Sequence, residues 1–178
     1  MAAPKPLRID PIAEAKRQWV AHGWEDSAAG MAAVTSVMRA HQLMLARVDE
    51  ALRPLGLSFA RYELLALLAF TREGVLPMSS ATARLQVHPT SVVNTVDRLQ
   101  ADGLVERRRH PSDGRAVLLE LQPTGRDLVA RATDALNAAV FSAPGLAADD
   151  TDALVAIIAR MRRDAGDFTD PRPQPDPL

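Results

Sequence analysis

A mainly α-helical chain with one small β-hairpin is predicted by three features of this 178-residue sequence. Ala and Leu dominate its apolar residues, which favours helices over a β-sandwich. Apolar residues recur at three- and four-residue spacing through most of the chain. Two short alternating runs, Leu104 to Arg109 and Arg115 to Leu121, flank His110-Pro111-Ser112-Asp113-Gly114. Asp-Gly between such runs is a strong hairpin signal.

The elements follow in order. Met1 to Asp10 contains prolines and reads as an arm. Pro11 to Trp24 reads as a helix, with Asp10 as N-cap, Pro11 in the first turn and Gly23 near the end. A second helix runs from about Ala28 to Leu52 on the stripe Met31, Val34, Met38, Leu45, Val48 and Leu52, and Pro54 and Gly56 stop it. Ser58 is placed to cap a third helix, whose buried side is Leu64, Leu65, Leu67, Leu68 and Phe70. Gly74 and Pro77 interrupt the chain before a short helix, Met78 to Leu85. Pro89 opens the next helix, which ends near Gly103, and the hairpin comes directly after it. Pro123 starts a long helix reaching about Ser142, and Asp149 or Asp150 is expected to cap a last helix through about Arg163.

A helix-turn-helix followed directly by a hairpin is the winged-helix arrangement. The fold class expected is therefore α+β: a winged helix-turn-helix with N- and C-terminal dimerisation helices. The long flanking helices carry apolar stripes, and a second chain would help to bury them. The expected segments are 1–27 (arm and extra helix), 28–57 (dimerisation helix), 58–122 (winged helix-turn-helix), 123–166 (C-terminal dimerisation helices) and 167–178 (mobile tail).

Composition excludes several classes. There is no cysteine, so disulfides, thiolate zinc sites and thiol switches are ruled out. No apolar run approaches the roughly 20 residues of a membrane helix, and Met1 to Asp10 lacks the apolar core of a signal peptide. A soluble cytoplasmic protein with no membrane partner is expected. The net charge of -1 gives no support to nucleic-acid binding, but its distribution is uneven. Arg84 to Arg126 holds seven Arg against five acids, whereas Ala143 to Leu178 holds seven Asp against four Arg.

The helix from Pro89 carries the functional signal. Val92, Val93, Val96 and Leu99 are read as its buried face; Thr90, Ser91, Asn94, Thr95 and Arg98 are read as its open face. Hydroxyls, an amide and a guanidinium are the side chains that contact base edges and phosphates in a major groove. Asp97 and Asp102 are expected to point elsewhere, since a carboxylate facing phosphate is repelled. On its own such a helix is an ordinary amphipathic surface helix. Its place between a short helix and a basic hairpin favours DNA. Arg108, Arg109 and His110 add basic groups to the wing; an arginine-rich strand edge that guards against aggregation is the competing explanation.

At these residues the chain resembles the MarR (multiple-antibiotic-resistance regulator) family of bacterial transcription factors. Ser91 to Arg107 is similar to that family's recognition helix and first wing strand. Asp113-Gly114-Arg115 matches its Asp-x-Arg wing signature, and Leu121, Pro123 and Gly125-Arg126 match the helix after the wing. The resemblance spans about Met31 to Arg163. It implies a homodimer with one winged helix per subunit on a double-stranded operator, and a ligand-responsive repressor. It also implies that Arg115 reaches a minor groove while Asp113 holds the wing. Gln122 departs from the family's usual helix-capping Thr. The extra first helix, with its Trp, resembles the urate-responsive branch, but Glu63 and Thr95 stand where that branch places Asp and Arg.

In similar proteins small molecules bind between the dimerisation helices and the winged helix. Trp24, Met38, Arg39, Gln42, Arg61, Tyr62 and Phe70 are the candidates for such a site, which would suit an aromatic carboxylate or an acyl-coenzyme A. Plain core packing and local ion pairs are the alternative roles for these residues. His22, His41, His88 and His110 show no metal-ligand spacing, so no metal and no cofactor are expected. Phosphate-loop, HExxH and GxSxG motifs are absent, which argues against an enzyme. The rival from another class is a winged helix used as a protein–protein interaction module without DNA binding.

Overall fold

In the computed structural model, which describes residues 6–85, 89–112 and 116–169, helices and one small antiparallel sheet follow the expected order. The chain divides into two units, Met1–Arg47 and Val48–Leu178.

The first unit contains α1 (Pro11–Ala21) and most of α2 (Glu25–Leu52). The Asp10 carboxylate accepts from the Ile12 N–H at 2.9 Å, so α1 starts at the expected cap. It ends three residues earlier than the sequence pattern indicates. Gly23 takes a left-handed φ of 79°, and α2 then begins at Glu25 instead of Ala28. Trp19 and Trp24 meet edge to face at 5.3 Å across this turn, and His22 stacks on Trp24 at 5.4 Å. Along α2, Val34, Val37, Met38 and Leu43 are exposed.

The second unit starts with the last residues of α2. A 3-10 turn, Arg53–Leu55, and Gly56 at φ 67° close that helix. The Ser58 hydroxyl accepts from the Arg61 N–H at 3.4 Å and opens α3 (Phe59–Ala69). Next come β1 (Val75–Pro77), α4 (Met78–Leu85), α5 (Pro89–Ala101), β2 (Val105–Arg109), β3 (Val117–Leu121) and α6 (Pro123–Leu136). The core is built from Leu52, Leu64, Leu65, Leu68, Val92, Val96, Leu99, Leu119 and Leu136, all fully or almost fully buried.

The sheet has three strands in the order β1-β3-β2, one more than the hairpin expected from sequence. Val75-Leu76-Pro77 pairs with Glu120, Leu119 and Leu118. A three-residue strand ending in Pro gives no alternation to read, and at a sheet edge Pro is tolerated. Gln122 precedes α6 without a side-chain cap, as its chemistry implies. The Thr124 hydroxyl instead donates to the Gly103 carbonyl at 2.8 Å. The long helix extends beyond Leu136 as a π turn, Asn137–Phe141, in which the Ser142 N–H reaches back to the Asn137 carbonyl at 3.0 Å. α7 (Ala148–Asp164) has Ala147 as its N-cap, so Asp149 and Asp150 lie in its first turn and not at the cap position. There they favour the positive end of the helix dipole. Beyond α7, Arg162 holds the Asp167 carboxylate and lies over the Phe168 ring at 5.5 Å. Most of the expected tail lies outside the described residues.

Candidate nucleic-acid interface

α5 presents two unlike faces because its sequence alternates β-branched apolar and short polar residues at helical spacing. Val92, Val96 and Leu99 are each 1% exposed or less and pack into the core. Thr90, Ser91, Asn94 and Arg98 are exposed, and Thr95 is half-buried with its hydroxyl donating to the Ser91 carbonyl at 2.9 Å. Val93 corrects the sequence-based assignment: it is 42% exposed and belongs to the open side. A residue next to Val92 is turned about 100° from it on a helix, so it cannot share the face that Val96 and Leu99 complete.

Both acids of this segment are taken up by arginines from neighbouring elements. Asp97 receives the Arg107 guanidinium at 2.6 Å. The same guanidinium donates to Gln100 Oε1 at 3.2 Å and to the Val93 carbonyl at 3.5 Å, which ties β2 to α5. Asp102, just past the end of α5, pairs with Arg61 of α3. Arg61 also donates to the Gly56 carbonyl at 3.0 Å, and its side chain is only 15% exposed. The open face of α5 is therefore left without an unpaired carboxylate among the described residues.

On the wing, Arg108 pairs with Glu120 across the sheet at 2.6 Å. That hydrogen bond raises the Arg108 pKa above the ordinary guanidinium value. Arg109 is exposed and makes no ion pair among the described residues. The His110 N–H donates to the Ala116 carbonyl at 3.1 Å, which closes the base of the wing. Its ring Nδ1 lies 3.3 Å from the Ser112 N and 3.2 Å from the Ser112 hydroxyl. Asp113 and Arg115 lie outside the described residues.

The candidate effector residues are distributed over both units. In the first, Trp24 belongs to the aromatic cluster, Met38 is exposed, and Arg39 donates to Gln42 at 3.2 Å. In the second, Arg61 is engaged as above, and Tyr62 is buried with its hydroxyl 3.2 Å from the Thr133 hydroxyl. Phe70, 70% exposed, lines a groove of about 260 Å³ between α3 and α6. Ala66, Ala69 and Val129 form its apolar wall, and Arg126 and Asp134 supply charges. Arg61 and Tyr62 do not line it. Partial burial pushes the Glu63 carboxyl up in pKa. No helix of the described residues is long and apolar enough to cross a membrane.

A family model described as the MarR family matches residues 55–116, which run from the end of the 3-10 turn to the residue before β3. Over a longer span, the chain is 45% identical to Sco5413, a MarR family transcriptional regulator from Streptomyces coelicolor. The likeness covers 80% of this chain and 99% of that one, at a TM-score of 0.71. The chain belongs to the MarR family. MarR proteins are transcriptional regulators and not enzymes. A second MarR regulator of Streptomyces coelicolor, Sco3205, was solved in complex with DNA. It is 25% identical, over 82% of this chain and 94% of that one, at a TM-score of 0.66. An uncharacterized HTH-type transcriptional regulator of Mycobacterium leprae is 34% identical over 67 residues, 38% of this chain. That match spans about half of the mycobacterial protein, 47% of its length.

Two features of the interface escaped the sequence reading. Val93 was obtainable by stepping round the helix from Val92. The role of Arg107 was not, because its three acceptors lie seven to fourteen residues away on another element.

Proposed function

We propose that this chain is a sequence-specific DNA-binding regulator that acts as a homodimer on a pseudo-palindromic operator and represses the genes beside it. The observation that carries the reading is the open face of α5. Thr90, Ser91, Asn94 and Arg98 stand exposed together, while the two nearby acids are bound by Arg107 and Arg61. Asn94 and Arg98 supply the amide and guanidinium that make paired contacts to adenine and guanine. Arg109, exposed and without an ion pair among the described residues, supplies a cation for a phosphate, and Arg108 can join it by leaving Glu120. Asp113 and Arg115 complete the wing by analogy with the family. The Sco3205 complex with DNA supports this use of the fold.

Dimerisation is supported by apolar surface that each unit leaves open: Val34, Val37 and Met38 on α2, and Val155, Ile157 and Met161 on α7. Release by a small-molecule effector, an aromatic carboxylate or an acyl-coenzyme A, completes the reading. Selection of duplexes from a random library by the full chain tests it. Enriched sequences should show inverted half-sites about 10 base pairs apart, since two recognition helices of a two-fold dimer lie roughly 34–36 Å apart. A library that yields no enriched sequence refutes operator binding and returns the fold to protein–protein interaction.

A further inference from the structure

Val93 is the unexplained residue of the interface. Its neighbours in type, Val92, Val96 and Leu99, are buried to 1% exposure or less, yet Val93 is 42% exposed among Thr90, Asn94 and Asp97. Local structure gives no reason for it. A β-branched residue is a poorer helix former than Ala, and an exposed valine contributes nothing to the core. A single exposed valine is also too small for a protein-docking patch.

Its surroundings are organised. On a helix, Val93, Asp97 and Gln100 are four and three residues apart and form one stripe. Arg107 from β2 binds along that stripe, at Asp97 Oδ1 (2.6 Å), Gln100 Oε1 (3.2 Å) and the Val93 carbonyl (3.5 Å). The polar members of the stripe are thus satisfied within the protein, and Asp97 is neutralised. What remains to face outward is the Val93 isopropyl group, the fifth residue of α5. The N-terminal residues of a recognition helix are those that reach base edges. Among the base-edge groups of the major groove, the thymine C5-methyl is the apolar one.

We propose that Val93 reads a thymine C5-methyl group in each half-site and is a specificity-determining residue of this protein. The inference rests on the assignment of α5 to DNA. Arg107 acts as a positioning residue that holds the stripe in place while Val93 makes the contact.

The experiment uses the full chain and a duplex enriched from the random library. Each thymine is replaced in turn by deoxyuridine, which removes the methyl and keeps every hydrogen-bonding group. Wild-type protein should lose about fourfold in affinity at one position per half-site, the ratio that corresponds to about 0.8 kcal/mol for one methyl-sized group. In Val93→Ala the same replacement should cost less than about 1.5-fold, since Ala no longer reaches the methyl. Ala is a better helix former at an exposed position, so this variant keeps its fold. Absence of any enriched duplex overturns the DNA reading itself. An enriched duplex whose binding ignores every thymine methyl, or whose methyl dependence survives in Val93→Ala, overturns the inference alone.

Discussion

Single side chains decide how closely the elements of the second unit approach. Gly125, in the first turn of α6, is the sharpest case. A Cβ there would lie 2.3 Å from the Leu104 carbonyl oxygen and 2.9 Å from a Leu121 methyl. The first neighbour is backbone and cannot swing away. Gly125→Ala should therefore cost about 3 kcal/mol or more, the upper range for overpacking a core. Urea denaturation measures this, and a loss below about 1 kcal/mol would show that α6 shifts freely away from Leu104 and Leu121. Asp102 is the second case. Its removal leaves a mostly buried guanidinium on Arg61 with one charged partner fewer. Asp102→Ala should destabilise by about 1–3 kcal/mol, the cost of losing a hydrogen bond to a charged group. An unchanged urea midpoint would mean that solvent replaces the carboxylate. Arg61 was a candidate effector contact with a local ion pair as its alternative role, and in the structure it engages Gly56 and Asp102. Its sequence position gives no sign of this, because Asp102 is 41 residues away.

At the scale of elements, Arg107 ties α5 to β2 of the wing. This sorts the arginine run Arg107-Arg108-Arg109 into three roles. Arg107 is internal, Arg108 is shared with Glu120, and Arg109 is exposed with no ion pair among the described residues, which suits the phosphate contact proposed for it. A phosphate contact contributes about -0.9 to the slope of log affinity against log salt. Arg109→Ala should lower the magnitude of that slope by about this amount. Arg107→Ala should leave the slope unchanged and reduce discrimination between operator and random duplex. A fall in slope for Arg107→Ala would place it on a phosphate and dissolve the clamp.

The order of helices and hairpin was legible because caps and breakers, Asp10, Ser58, Pro89 and Pro123, coincide with changes of hydrophobic period. β1 was not legible, since its three residues become a strand only by pairing with β3, more than 40 residues later. The open face of α5 was legible except at Val93, where counting apolar residues replaced the geometry of the helix.

At the scale of the whole molecule, two helices leave apolar side chains exposed among the described residues, α2 at Val34, Val37 and Met38 and α7 further along the chain. α7 buries no residue, and Val155, Ile157 and Met161 on it are exposed. If a second copy covers them, Ile157→Glu should give a monomer by light scattering at micromolar concentration, where the wild type is a dimer. It should also weaken operator binding by removing the coupling between half-sites. A wild-type monomer would refute the two-fold arrangement.

The central claim, that α5 reads DNA through its polar face, is tested most directly by anisotropy titration of wild type, Asn94→Ala and Arg98→Ala. Each is measured at one fixed salt concentration against the enriched duplex and a scrambled duplex. The wild type should prefer the enriched duplex by about 10³-fold or more. Each variant should lose about five- to hundredfold of that preference while binding the scrambled duplex nearly as before, as expected for a contact carrying roughly 1–3 kcal/mol of discrimination. Full preference in both variants would contradict the account and move DNA reading to another surface of the chain.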